Sequence, residues 1–369
     1  MKITRVTVRQ ADLEYAGEAY SFSQGRRYKA FQTTVVTLET DEGIMGHGET
    51  CPCGPAYMPG YAGGVLPALA ELAPAVLGCD PCEVTVVGRA MDAALLGHQF
   101  AKTAIDLACW DILGKAAGLP VHTLLGGRIV TDVPLHRVVP LGGPEETVET
   151  IQDLRRRGYL HYQVKLGHGL AQDLALMRRL HETRGAGEVY VGDANAAWRP
   201  EEAMRISAAL AEVDCLLEEP CRGYEACRAV RPRLCHPMKL DESIATVSDI
   251  RRAIADDSCD AIAIKISRLG GLTPARIVRD ICADAGIAIT IEDTWGGSIV
   301  TAAIAHLSVS TPPEALLNAT DLNNYNRTDI ALDGPPIANG RMGASDRPGL
   351  GTEPDVATLG TPVAIFENT

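Results

Sequence analysis

The sequence predicts an α/β protein: a closed eight-fold barrel of parallel strands and crossover helices, packed against a smaller α+β domain. Three observations carry this. The chain has 369 residues; at ~100–200 residues per domain, with closed barrels reaching ~250 as one unit, two packed domains are expected. From Val133 onward, eight short apolar runs alternate with amphipathic helical patterns, the grammar of parallel strands joined by helices. Before that, the first ~90 residues read as strands followed by helix.

Residues 5–10 and 33–40 are rich in strand formers, and Asp41-Glu42-Gly43 before Ile44 is a hairpin turn signal. Residues 66–76 and 84–96 carry helical periods, the first with Pro67 near its start. Helix-forming sequence resumes at Ala101 and stops at Gly118-Leu119-Pro120. Leu124-Leu125-Gly126-Gly127 marks a domain boundary. The strand runs beyond it are 133–139, 162–166, 189–192, 215–217, 238–240, 261–266, 288–291 and 315–318, with helices such as 201–210, 247–255 and 274–285 between them. An open doubly wound sheet is the alternative. It usually carries a glycine fingerprint after its first strand, and Leu141-Gly142-Gly143-Pro144 is not one. The Gly- and Pro-rich tail, 337–350, reads as a hairpin packing on the N-terminal domain.

Composition excludes several classes. With 46% hydrophobic and 22% charged residues the chain is neither disordered nor a membrane protein. The most apolar stretch, 63–78, is broken by Pro67, Glu71 and Pro74. Met1-Lys2-Ile3-Thr4-Arg5 opens into strand-like sequence with no apolar signal region, so a cytoplasmic location is expected. A net charge of −13 argues against nucleic acid or an anionic membrane as partner. Eleven cysteines suit reduced core thiols. Cys51-Pro52-Cys53 and Cys79-Asp80-Pro81-Cys82 lack the further ligands of a zinc site.

The ends of the strand runs are the informative positions: Lys165, Asp193 with Asn195, Glu218, Asp241, Lys265 and Asp293. The steps between them are 28, 25, 23, 24 and 28 residues, each one βα unit. In a barrel all six share the rim where active sites are built. A single acidic residue after a strand is usually a helix cap; six ionisable residues in register are not explained that way. Three converging carboxylates, with no basic residue taking a strand end between them, require a cation. All-oxygen ligation favours Mg²⁺. The flanking lysines, Lys165 and Lys265, face each other across the centre. Beside a divalent cation, a partly buried lysine is expected to have a lowered pKa and to serve as a general base.

The residues carry a resemblance. The run from Ala104 to Pro120, containing Ala104-Ile105-Asp106-Leu107-Ala108-Cys109-Trp110-Asp111, followed by Leu124-Leu125-Gly126-Gly127, resembles the enolase superfamily in its mandelate racemase/muconate lactonizing branch. Gly46-His47-Gly48-Glu49, Asp193-Ala194-Asn195, Glu218-Glu219-Pro220, Asp241-Glu242-Ser243, the run from Lys265 to Gly271, and Pro348-Gly349-Leu350-Gly351 extend it over nearly the whole chain. The resemblance implies a modified (β/α)₇β barrel over residues 128–320, an α+β capping domain from residues 1–127, and a C-terminal segment, 321–369, returning to the cap. It implies one Mg²⁺ per subunit on Asp193, Glu218 and Asp241, Glu218 being chosen over Glu219 because the family's ligand stands two before the proline. The shared partial reaction it implies is removal of a proton α to a carboxylate, with the metal stabilising the enediolate. One departure stands out: many racemases of this branch have Lys-x-Lys on the second strand, and here it is Gln163-Val164-Lys165. The metal, with burial, must then lower the lysine pKa alone.

Thr50-Cys51-Pro52-Cys53-Gly54-Pro55-Ala56-Tyr57, Tyr61-Ala62-Gly63-Gly64 and Glu292-Asp293-Thr294-Trp295-Gly296-Gly297 resemble the subgroup acting on proline derivatives, which implies a small amino or imino acid substrate. Dehydration of cis-3-hydroxy-L-proline is the expected activity. Epimerisation at C2 of hydroxyproline betaine or proline betaine is the alternative. Asn195, Tyr57, Glu292, Asp293, Thr294, Trp295 and Asp321 are the candidate substrate-binding residues. Asp293 or Glu292 would face a cationic amine, and Trp295 would either cover the ring or fill the core. Only 5% of residues are aromatic, and residues 318–325 are polar, so an aromatic cage for a quaternary ammonium is not expected. Residues 16–31, with Gly17, Ser21, Ser23, Gly25 and Arg26-Arg27-Tyr28-Lys29, read as a closing loop or a plain connection. A homo-oligomer is expected. A dinucleotide-dependent oxidoreductase is disfavoured by the missing glycine fingerprint, and a silent scaffold by the presence of both lysines and all three ligands.

Overall fold

The computed structural model describes residues 1–21, 27–55 and 57–367. The loop expected at residues 16–31 falls partly on them. Tyr20–Ser21 pairs with Arg27–Tyr28 as a short antiparallel hairpin, while Ser23, Gly25 and Arg26 lie outside the described residues.

The first domain is a four-stranded antiparallel sheet in the order Ala364–Glu367, Ile3–Glu14, Ala30–Thr40, Met45–Thr50. The long central pair aligns Val6 with Leu38 and Val8 with Val36, all fully buried. Helices Val65–Val76, Val84–Ala94 and Gln99–Ala117 cover that face. The motif Gly46-His47-Gly48-Glu49 has a physical reason at each position. A Cβ on Gly46 or Gly48 would stand 2.2 Å from Ala108 O or 2.0 Å from Ala104 O, so only glycine lets this strand lie on the Gln99–Ala117 helix. The His47 N–H donates to Asp111 (3.0 Å). The Glu49 side chain reaches from the sheet to the barrel. It accepts from the N–H groups of Gly297 (2.6 Å) and Val300 (3.0 Å), at the start of helix Ser298–Val309.

Helix Gln99–Ala117 is buried on nearly every side, because it lies between the two domains. Its polar residues are the joints. Asp106 accepts from Thr273 Oγ1 (2.5 Å) and Thr273 N (3.2 Å), and Trp110 Nε1 donates to Thr273 Oγ1 (3.0 Å), at the start of barrel helix Leu272–Ala285. Asp111 also accepts from Leu350 N (2.8 Å) in the tail. Gly118, at φ 68°, ends the helix in the left-handed conformation that glycine adopts without strain.

The second domain is eight parallel strands in sequence order: His136–Val139, His161–Lys165, Val189–Asp193, Leu216–Glu218, Met238–Leu240, Ala261–Lys265, Ala288–Glu292 and Leu316–Ala319. A bridge between Leu135 and Ala319 joins the first to the eighth. Two expectations need correction. Run 133–139 is not one strand: Asp132–Pro134 leaves the barrel to pair with Arg341–Gly343. The tail hairpin Ile337–Ala338/Arg341–Gly343 therefore packs on that strand rather than on the N-terminal domain. The stretch that does reach the first domain is Gly349-Leu350, whose N–H groups donate to Leu119 O and Asp111.

Candidate active site

Strand register sets the rim. Lys165 lies beside Asp193, Asp193 beside Glu218, and Lys265 beside Glu292. Glu218 aligns with Lys239, so Asp241 stands two residues further on, just past the end of its strand. No basic residue takes a strand end between the carboxylates, but Lys239, within its strand, stands among them. Completely buried, it places Nζ 3.2 Å from Glu218 Oε2. Inside the short strand Met238–Leu240 it reads as ordinary strand sequence. Arg268, in the turn after Lys265, is the second missed cation, with Nη2 2.9 Å from Asp241 Oδ1.

Each carboxylate is thus held by named donors. Asp193 Oδ2 receives Lys165 Nζ (2.5 Å) and Gln163 Nε2 (2.7 Å). Gln163 Nε2 also reaches Glu218 Oε2 (3.0 Å), so the residue standing where a lysine often does bridges two carboxylates. Lys265 Nζ is 3.1 Å from Asp241 Oδ2 and 3.0 Å from Glu292 Oε1. Tyr57 comes from the first domain and donates its hydroxyl to Asp241 Oδ2 (2.8 Å).

A divalent cation fits this donor set. Oxygens of Glu218, Asp241 and Glu292 lie within 4.8 Å of one another. Glu218 Oε1 is buried with no hydrogen-bond partner among the described residues, a costly arrangement for a carboxylate without a cation. Burial pushes the Glu218 carboxyl up to about 8 against the opposing pull of Lys239. Asp193 stands outside the closest trio, with Oδ2 held by Lys165 and Gln163.

Both lysines are set between opposing influences. Burial works to lower the pKa of each, but the carboxylates win. Asp193 is the leading influence that holds Lys165 well above its usual value. Asp241 and then Glu292 hold Lys265 up in the same way. The lowering expected from sequence is that of lysines beside a bound cation, which would offset those carboxylates.

Lys165 and Lys265 line one small pocket with Tyr57, Glu292, Asp293, Thr294 and Trp295. Asp293 is occupied as a brace: Oδ2 accepts from Ser267 N (3.0 Å) and Ser267 Oγ (2.7 Å), and Oδ1 from Thr294 N (2.7 Å), which fixes the turn beside Lys265. Thr294 Oγ1 ties the barrel to Cys51 O (2.8 Å). The three predicted metal ligands, Asp193, Glu218 and Asp241, are not among the lining residues, and neither are two of the predicted substrate-binding residues. Asn195 turns its amide to Glu242 (3.1 Å). Asp321 is buried between Arg137 Nη1 (2.9 Å), the Tyr159 hydroxyl (3.0 Å) and Asn324 Nδ2 (2.9 Å).

The pocket is more aromatic than the composition suggested. Trp295 packs against Phe31 (centroids 4.2 Å), Tyr20 (4.9 Å) and Tyr325 (5.7 Å). Tyr20 and Tyr325 line the pocket with it. Tyr20 and Tyr325 sit on elements 305 residues apart in sequence, and no local spacing announces such a wall.

Residues 17–126 match the family described as "Mandelate racemase / muconate lactonizing enzyme, N-terminal domain", and residues 146–358 match "Enolase C-terminal domain-like". The chain is 47% identical over 369 residues to a cis-3-hydroxy-L-proline dehydratase of Roseibium aggregatum, covering 99% of this chain and 100% of that one. It is 31% identical over 321 residues to a hydrophobic dipeptide epimerase of Enterococcus faecalis, covering 84% and 88%. A solved mandelate racemase/muconate lactonizing enzyme from Roseovarius nubinhibens has a TM-score of 0.96 at 40% identity, covering 100% of this chain and 99% of that one. Another from the same organism, complexed with magnesium, has a TM-score of 0.96 at 37% identity, covering 99% and 100%.

Proposed function

The chain belongs to the mandelate racemase/muconate lactonizing enzyme family of the enolase superfamily, and from that premise we propose that it is a magnesium-dependent hydro-lyase converting cis-3-hydroxy-L-proline to Δ¹-pyrroline-2-carboxylate. The observation that carries the reading is the pair of lysines, on the second and sixth barrel strands, lining one pocket beside the buried carboxylates. The full-length similarity to a dehydratase of that substrate supports it.

Asp193, Glu218 and Asp241 would hold one Mg²⁺ per subunit. When bound, the metal supplies positive charge where the substrate carboxylate gains electron density as the α-proton leaves. In cis-3-hydroxy-L-proline the hydroxyl and the carboxylate share a ring face, so the C2 hydrogen lies on the opposite face. Their loss is an anti elimination, which needs a base on one face and an acid on the other. Lys265 Nζ, uncharged, takes the C2 proton. The C2–H electrons form the C2=C3 bond, the C3–O bond breaks, and Lys165 gives its proton to the departing oxygen, releasing water. The enamine then tautomerises to the pyrroline. Lys165 is raised chiefly by Asp193 and Lys265 by Asp241, both carboxylates that Mg²⁺ would engage, so each lysine has a route to the uncharged form. The resemblance to the family, in which the sixth-strand lysine addresses the S configuration, makes Lys265 the base and Lys165 the acid.

The aromatic wall of Tyr20, Trp295 and Tyr325 favours a second reading, C2 epimerisation of a betaine, whose quaternary ammonium such faces attract. Incubating the Mg²⁺-loaded enzyme with cis-3-hydroxy-L-proline, 4-hydroxyproline betaine and proline betaine separates the two. Pyrroline formation from the first is expected. Efficient epimerisation of a betaine without pyrroline product would replace the dehydratase reading.

A further inference from the structure

Strand order divides the barrel mouth. The carboxylates lie on the third to fifth strands, Lys165 and Lys265 flank them on the second and sixth, and the seventh, eighth and first strands close the far side. A substrate with its carboxylate toward the acidic side and its α-carbon between the lysines turns its other substituents to that far side. His136, on the first strand, lines the pocket there and is 2% exposed.

The His136 ring is oriented by what lies beneath it. Nδ1 is 3.1 Å from Asn318 Oδ1, which also accepts from Thr290 Oγ1 (2.9 Å), while Asn318 Nδ2 turns to His161 Nδ1 (3.2 Å). A carbonyl oxygen only accepts, so Nδ1 carries the hydrogen and Nε2 presents a lone pair. Burial favours the same uncharged ring. His136 Nε2 is buried with no hydrogen-bond partner among the described residues, and Glu292 Oε2 lies 3.9 Å away. Two acceptors therefore face each other with no hydrogen between them, one of them on an anion. A single nitrogen about 2.9 Å from each would satisfy both if it carried two hydrogens and a positive charge.

We propose that His136 Nε2 and Glu292 Oε2 form a subsite for the secondary ammonium of the substrate ring, reading its two N–H bonds and thereby selecting the free imino acid over its N-methylated forms. The inference rests on the proposed proline-type substrate and adds the residue that enforces it. An N,N-dimethyl group offers neither hydrogen and leaves both acceptors unpaired, the kind of mismatch that discriminates most strongly in buried sites.

The test is α-proton exchange in D₂O with Mg²⁺-loaded enzyme on L-proline, N-methyl-L-proline and N,N-dimethyl-L-proline. For the native protein, kcat/KM should fall in that order. His136→Leu should lower kcat/KM for L-proline about 10- to 100-fold, mainly through KM, and leave the dimethyl compound nearly unchanged. His136→Gln, which keeps an acceptor, should recover part of the loss. Nitrogen NMR of the native histidines should show His136 protonated at Nδ1, with Nε2 shifting on addition of L-proline and not of the dimethyl compound; this readout stands even if a variant fails to fold. Equal losses on all three substrates, or an Nε2–H tautomer, would overturn the subsite while leaving the proposed function intact. If the native protein exchanges none of the three, the proline reading falls and the subsite with it.

Discussion

The two sides of the barrel mouth are built differently. On the third to fifth strands, charge is matched by charge within the barrel: Asp193 with Lys165, Glu218 with Lys239, Asp241 with Lys265 and Arg268. Across the pocket, the wall is assembled from distant parts: Tyr20 from the first domain, Trp295 beyond the seventh strand, Tyr325 after the eighth and His136 on the first. The residues of the acidic side recur at one-unit spacing along the barrel. The far wall decides what fits, and its residues share only a place in space.

That contrast can be broken in four ways, from the largest effect to the smallest. Chelation by EDTA should abolish turnover and added Mg²⁺ should restore it, with a rise in melting temperature on metal addition as an independent readout. Full activity in metal-free protein would remove the metal from the account. Asp321→Ala should cost about 3–5 kcal/mol of stability, because it strands the buried Arg137 charge. Its KM should stay near native in whatever folds, since Asp321 lies off the pocket lining; chemical denaturation and kinetics on the same sample check both. Gln163→Leu should weaken Mg²⁺ binding about 10- to 100-fold by calorimetry, as loss of a residue that orients metal ligands does. An unchanged affinity would make the Gln163 bridge incidental.

The smallest effect concerns the joint between domains. Burial raises Glu49 from 4.5 to about 7, despite its bonds to Gly297 and Val300. Between those values the folded protein binds more protons than the unfolded chain. This contribution to stability is therefore complete below pH 4.5 and lost as pH rises through about 7, with a slope of up to ~1.4 kcal/mol per pH unit. Glu49→Gln should flatten that part of the stability–pH curve. An identical slope in the variant would show that Glu49 stays ionised.

How legible each part was follows from the same division. Period and spacing suffice where chemistry repeats with the fold: the eight strand runs and the rim carboxylates could be read because each βα unit presents one position. Trp110, Asp106 and Asp111 were visible as a motif, but their bonds to Thr273, His47 and Leu350 were not. Lys239 and Gln163 were missed as partners because buried residues just before a strand end look like ordinary strand sequence. The split of 133–139 escaped because the pairing of Asp132–Pro134 depends on a tail ~200 residues later. Composition misled on the aromatic wall, because a low average says nothing about where the few rings gather.

The most direct measurement compares Lys165→Ala with Lys265→Ala on two reactions: dehydration of cis-3-hydroxy-L-proline, and α-proton exchange of L-proline in D₂O. If Lys265 is the base and Lys165 the acid, Lys265→Ala loses both, by a factor of about 10² or more. Lys165→Ala loses dehydration and keeps exchange. The reverse pattern, or dehydration surviving in either variant, would contradict the anti elimination across this pocket.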